Sequence, residues 1–206
     1  MPSDIPIFEL PIVLLPGEVL PLHIFEERYK RMVGDCLESE EPFGIVFGDA
    51  DGARSVGCEA RVAEVVETFD DGRMNIIVAG ERPFRVIDRR EAPEYPVGEI
   101  EPIEVAAEAP SLDPETAAAA RDAFADLVER VSGEGPDREE LDADDAYAIA
   151  ARVELPAETK QRLLELRSES DRMKLLADAL GALVSTLSRS REIAERATMN
   201  GKVVVS

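Results

Sequence analysis

One histidine, two cysteines and a large excess of carboxylates are the side chains with which this chain could do chemistry. His23 lies in the segment Pro21-Leu22-His23-Ile24-Phe25, between two apolar pairs. A catalytic histidine base would have to be this residue, but its neighbours predict a structural, partly buried imidazole. Cys36 and Cys58, taken with a lone histidine, match no zinc spacing. Both fall on predicted apolar faces, so free and inert thiols are expected rather than a disulfide or a nucleophile. The adjacent carboxylates Asp70-Asp71, Glu139-Glu140 and Asp144-Asp145 lie in turns or polar runs, where exposure to water leaves them unsuited to general acid work. The phosphate cradle G-x-x-x-x-G-K-[ST] does not occur, since Asn200-Gly201-Lys202 lacks the glycine loop and the following hydroxyl. Nor does G-x-S-x-G. No catalytic, cofactor-binding or metal-ligating set is therefore expected, and the chain reads as a non-enzyme that works by recognition.

The charge narrows what could be recognised. The 23 basic and 44 acidic residues give a net charge of −21. Residues 99–150 alone carry 3 basic and 16 acidic side chains. Such a field repels phosphate backbones, so nucleic acid is not an expected partner. No apolar run approaches the roughly 20 residues that a bilayer crossing needs, and the opening Met1-Pro2-Ser3-Asp4, with no basic segment leading into an apolar one, gives no expectation of a signal peptide,. A soluble, cytoplasmic protein that leaves membranes alone is expected.

The elements that must position any site change character along the chain. Ile12–Leu15 and Val19–Leu22 read as two buried strands meeting at the turn Pro16-Gly17,. Phe25, Tyr29, Met32, Val33, Cys36 and Leu37 then repeat at helical spacing,. Phe43–Gly48 predicts a third strand. Ser55–Phe69 predicts a half-buried one that slips phase near Ala63, as at a bulge. Asp70-Asp71-Gly72 predicts a hairpin into Met74–Ala79, with the glycine at positive φ. Phe84–Ile87 continues the sheet, and Val97–Val105, interrupted by Pro102, is placed at its edge. Six or more short strands with one inserted helix predict a small closed or nearly closed β barrel.

After Ala106–Pro110 the signals become helical. Asp113-Pro114-Glu115 opens a helix with the apolar stripe Phe124, Leu127, Val128 and Val131, which ends at Gly133. Leu141–Val153 predicts a second helix and residues 157–167 a short third. Ser168 caps a long last helix along which Met173, Leu176, Leu180, Leu183, Val184 and Leu187 form a seam. Gly201–Ser206 reads as a frayed tail. The expected class is α+β, with residues 1–110 a β-rich subdomain and residues 111–206 a helical one.

Pro16-Gly17, Leu20-Pro21-Leu22-His23-Ile24-Phe25-Glu26, Arg28-Tyr29, Met32 and Cys36-Leu37 resemble, in order and spacing, the opening signature of the Lon substrate-binding domain family. Val62-Ala63-Glu64-Val65, Asp71-Gly72-Arg73-Met74-Asn75-Ile76 and Gly80-Glu81-Arg82-Pro83-Phe84-Arg85-Val86 continue the resemblance. So do Leu155-Pro156 and Lys160-Gln161-Arg162-Leu163-Leu164-Glu165. The resemblance implies a PUA-like barrel followed by a helical bundle. It also implies recognition of unfolded or exposed polypeptide segments without a cofactor, with a protease or chaperone as companion. Lon proteases join such a domain to an ATPase and a peptidase, and these 206 residues carry neither. A stand-alone adaptor or holdase is the resulting expectation.

A groove where barrel meets bundle would hold the peptide by edge-strand addition or apolar anchors. Phe43, Phe47, Phe69 and Tyr95, which sit beside turns, are the candidate anchors, and plain core packing competes for each. The alternative is a small-molecule or nucleotide-binding PUA-like protein, whether binder or enzyme, that uses the barrel mouth.

Overall fold

The computed structural model describes residues 3–104 and 112–200, with backbone alone for residues 192 and 194–200. Six strands with one inserted helix come first and five helices follow. The strands are β1 (Ser3–Leu10), β2 (Val19–Ile24), β3 (Phe43–Asp49), β4 (Gly52–Thr68), β5 (Met74–Arg90) and β6 (Val97–Pro102), with α1 (Glu27–Ser39) between β2 and β3. The helical part holds α2 (Pro114–Ser132), α3 (Arg138–Ala143), α4 (Ala146–Ala150), α5 (Ala157–Glu165) and α6 (Glu169–Asn200). The linker Ala106–Pro110, the boundary between 110 and 111 and the tail Gly201–Ser206 lie outside the described residues.

The strands form one sheet in the order β2-β5-β4-β3-β1-β6, and β6 also pairs with β5. The ladder therefore runs β5-β4-β3-β1-β6 and returns to β5. β5 makes this possible by changing partner midway. Met74–Ala79 pair with β2, and Phe84–Arg90 pair with β6. The strand expected at an edge is thus paired on both sides, and Pro102 stands at its end rather than on an open flank. The open edge is β2, which pairs with β5 alone among the described residues.

The first expected strand also moves. β1 runs over Ser3–Leu10, parallel to β3, whereas Val13–Leu15 are buried without a ladder partner. This segment crosses over Gly80 so closely that a Cβ there would meet the Leu15 backbone. The Pro16-Gly17 turn follows, with Gly17 at φ +75° and the Glu18 N–H donating to the Leu15 carbonyl at 3.1 Å. The β4–β5 hairpin has the expected glycine, Gly72 at φ +79°. The phase slip at Ala63 is a bulge, because pairing steps from Val62–Val78 to Glu64–Ile77,.

Asp113 caps α2 by accepting from the Thr116 N–H at 2.9 Å, and Gly133 ends it at φ +85°,. The helix expected over Leu141–Val153 is instead two short ones, because Asp144 and Asp145 are extended and Asp145 caps α4. Ser168 Oγ accepts from the Asp171 N–H at 3.4 Å, a weak cap at the start of α6.

Two clusters make the core. Ile5, Ile7, Val46, Phe84 and Ile100, from β1, β3, β5 and β6, pack together, and the Phe84 ring lies where a Cβ on Gly44 or Gly57 would stand. The larger cluster is continuous from Phe8, Val33 and Cys58 to Phe124, Leu164, Met173 and Leu180. Strands and helices therefore share apolar burial. The Gln161 amide adds a polar tie by donating to the Val56 carbonyl at 3.1 Å.

Candidate functional site

The four expected anchors are dispersed. Phe43 is 0% exposed, within the core beside Phe8. It cannot touch a ligand while the protein is folded, because the turn before it leads straight into an interior strand. Phe47 is half-buried against the same core with the Arg54 guanidinium 6.0 Å from its ring centre. Tyr95 is half-buried, and its hydroxyl donates to Asp35 Oδ2 at 2.8 Å. Burial above all, and then that bond to a carboxylate, pushes its phenol up to about 12,. Phe69 is half-buried at the β4–β5 turn, under the Arg73 guanidinium at 5.1 Å.

Phe69 meets residues that the sequence placed elsewhere. The His23 ring lies edge-on to it at 6.1 Å and parallel to Phe25 at 6.0 Å. His23 is exposed, not partly buried, because β2 is an edge strand and its odd-numbered residues face outward. Phe25 is 60% exposed, since α1 starts two residues later at Glu27 and the ring never joins the buried stripe of Tyr29, Met32, Val33 and Cys36. The missing signal was the helix boundary. Glu26 takes the N-cap position without a side-chain cap bond, so no Ser, Thr, Asp or Asn marked the start,.

Hydrogen-bond polarity fixes the imidazole. The Glu67 carboxylate only accepts, and it accepts from Asn75 Nδ2 at 3.2 Å,. Asn75 Oδ1 therefore faces His23 Nδ1, 2.7 Å away, and must receive its proton. Nδ1 thus carries a proton, and the ring lies beside the two aromatic rings of Phe25 and Phe69. Its ring and hydrogen-bond contacts are Phe25, Phe69 and Asn75, none of them a nucleophile. Among the described residues, no three His, Cys, Asp or Glu side chains are grouped to hold a metal ion, and no helix is long and apolar enough to cross a membrane. Both cysteines are free and buried. Burial raises the Cys36 thiol to about 11 and pushes Cys58 higher still,.

The concave apolar surface lies among the helices. A cleft of about 550 Å³ is walled by Leu127, Val128 and Val131 of α2, by Val153 and by Leu183 and Leu187 of α6. The stripe expected along α2 is buried at Phe124 and Leu127 but opens at Val131, 70% exposed, which becomes a wall of this cleft. Arg152 borders it and also borders a second, more open groove of about 700 Å³. That groove runs between Ala148 and Ala151 on the helical side and Gly17 and Val19 on the strand side. Arg152 is held in place by an ion pair with Asp144 and lies over Phe124, 5.1 Å from the ring centre. Val19, 60% exposed, begins β2. From it the outward residues Pro21 and His23 lead to Phe25 and Phe69. Cleft, groove and edge strand thus adjoin as one track.

The profile of the ATP-dependent protease La (LON) substrate-binding domain matches residues 4–181. The chain belongs to the Lon substrate-binding domain family. It is 28% identical over 210 residues to the Lon protease of Paraburkholderia phytofirmans, spanning 94% of this chain and 26% of that protein. It is 29% identical over 222 residues to the Lon protease of Anaeromyxobacter dehalogenans, spanning 94% and 25%. The chain thus spans about a quarter of the length of these Lon relatives. The crystal structure of a Lon N-terminal domain protein from Xanthomonas campestris superposes with a TM-score of 0.66 at 26% identity, covering 84% of this chain and 96% of that one. The N-terminal domain of Mycobacterium avium complex Lon protease has the same fold, with a TM-score of 0.68 at 20% identity and coverage of 86% and 98%. The mixed α+β architecture is therefore that of Lon N-terminal domains.

Proposed function

We propose that this Lon substrate-binding domain holds exposed apolar polypeptide segments along the track from the α2–α6 cleft to Phe25, as an adaptor or holdase that makes and breaks no covalent bond. The observation that carries this reading is that Arg152 joins the apolar cleft at Val131 to the groove at Val19, from which the open edge strand leads to the exposed Phe25, on elements that share one core. A flexible segment loses entropy on binding, so several modest apolar contacts on one rigid path suit it better than a single deep pocket. The open flank of β2 supplies backbone groups as well. The carbonyl of Glu18 faces Gly80 of β5, so by strand alternation the carbonyls of Val19, Pro21 and His23 face away and are open to an added strand. The ring of strand pairings is read as a PUA-like barrel, and the two free thiols suit the cytoplasm,. A protease or chaperone is the companion expected to receive what is held.

The small-ligand alternative has less support. The hollows on the strand side are smaller, about 380 and 290 Å³, and bordered by charged residues such as Glu9, Arg28, Glu41 and Arg61. The test is fluorescence anisotropy of short apolar peptides, and of a reduced, unfolded protein, against the native chain and its Phe25→Ser and Val131→Ser variants. Binding that weakens in both variants is expected. No binding at tens of micromolar would sink the reading. Peptide cleavage or ATP turnover by the purified chain would sink its non-enzymatic part.

A further inference from the structure

Along this track the cations are already matched and several carboxylates are not. Arg152 pairs with Asp144, Lys160 with Glu18, Arg61 with Glu81, Arg73 with Asp71, Arg28 with Glu26 and Lys30 with Glu27. Among the described residues no cation pairs with Glu64, Glu67 or Asp70 on the strand side, or with Glu140 and Glu154 beside the groove and cleft. All five are exposed. The bulges of β4 aim two of them. With Ala63 and Val66 left unpaired, Glu64 stands opposite Ile77 and Glu67 opposite Asn75. Ile77 and Asn75 in turn stand opposite Pro21 and His23, so both carboxylates share the outward rows of the edge strand. Two strand spacings separate them from β2, roughly 10 Å. A segment added at the β2 edge lies one spacing further, roughly 14 Å away, so these carboxylates act on its cations through their field rather than by contact. The open face of Phe25 favours a cation too, because the ring's negative face attracts one.

We propose that the segments taken by this track are cationic, with apolar or aromatic residues interleaved with lysine or arginine, and that acidic segments are turned away. This rests on the polypeptide-binding reading above and names its substrate class. Apolar contacts set where the segment lies, and the unmatched carboxylates select its charge. The net charge of −21 extends the attraction beyond contact distance at low salt,.

The test uses three labelled peptides of about twelve residues, with identical leucines and phenylalanines at alternate positions and lysine, serine or glutamate between them. Anisotropy is read at about 50 mM and about 500 mM NaCl, where screening lengths differ roughly threefold. At low salt the lysine peptide is expected to bind about tenfold tighter than the serine peptide, with the glutamate peptide weakest. At high salt the advantage should fall below about twofold. The Glu64→Gln/Glu67→Gln/Glu140→Gln variant should lose the advantage and keep its affinity for the serine peptide. Equal binding of lysine and serine peptides at low salt overturns the charge selection and leaves polypeptide binding standing. Lysine-peptide binding that ignores Phe25→Ser and Val131→Ser is surface attraction alone, and overturns the proposal. A serine peptide that binds but also ignores both variants removes the track as the site, and the proposal with it.

Discussion

The Lys160 ammonium on α5 is ion-paired with the Glu18 carboxylate in the β1–β2 connection, and both side chains are largely buried. The second Glu18 oxygen accepts from the Leu15 N–H at 3.0 Å, so one carboxylate fixes the turn and joins it to a helix 142 residues later. Removing one partner strands the other away from water. Lys160→Met is expected to cost about 3 kcal/mol in urea unfolding, and Lys160→Met/Glu18→Gln to regain much of that loss. A double loss equal to the sum of the separate Lys160→Met and Glu18→Gln losses would mean that the pair is not coupled.

Phe43 and Phe25 should separate stability from binding. Phe43→Ala empties a fully buried site and is expected to cost about 3–5 kcal/mol,. Phe25→Ser removes an exposed ring and should leave stability within about 0.5 kcal/mol,. Peptide affinity should respond in the opposite way, falling severalfold for Phe25→Ser. Unfolding curves and anisotropy on both variants check this.

Gly80 is needed for lack of a side chain rather than for an unusual φ. A methyl group there would run into the Leu15 backbone, which cannot swing aside as a flexible side chain would. Gly80→Ala is expected to cost about 2 kcal/mol or more, whereas Gly34→Ala, whose Cβ meets nothing within 4 Å on α1, should be neutral or stabilising,. Thermal unfolding of the two variants decides.

The buried thiols predict an alkaline limit. Cys36 moves from an ordinary 9.0 to about 11, mainly through burial and next through the Asp35 and Glu41 charges. The unfolded thiol ionises first as pH rises. Stability from this group is therefore intact below pH 9 and is lost as pH climbs towards 11. Urea unfolding at pH 8, 9, 10 and 11 should show a downward slope that is shallower in Cys36→Ala. A thiol reagent at pH 8 should label neither cysteine until the protein is unfolded, and rapid labelling of the native chain would contradict this.

Much of the local structure was legible in the residues. Asp113-Pro114 and Gly133 marked the ends of α2 because capping bonds and positive φ are short-range requirements. Asp71-Gly72 marked the hairpin for the same reason. The bulge at Ala63 showed as a break in alternation. Phe25, His23 and Val131 were misread because exposure depends on what packs opposite. An apolar residue two positions before a helix, or one turn past the end of a buried stripe, carries the same pattern as a core residue. Pro102 misled for a related reason: proline lacks a donor wherever it stands, and only the partner strands decide whether an edge is present.

From its residues alone this chain declared strands before helices, one inserted helix, tight turns at Gly17 and Gly72, and a large excess of acidic side chains. These follow from backbone preferences and charge, which neighbours in sequence determine. The folded molecule decided which strand was left open, where exposed apolar side chains joined into a track, and which carboxylates beside it had no cation. Those are contacts between residues far apart along the chain, created when β5 changes partners and α2 meets α6, and local pattern does not encode them.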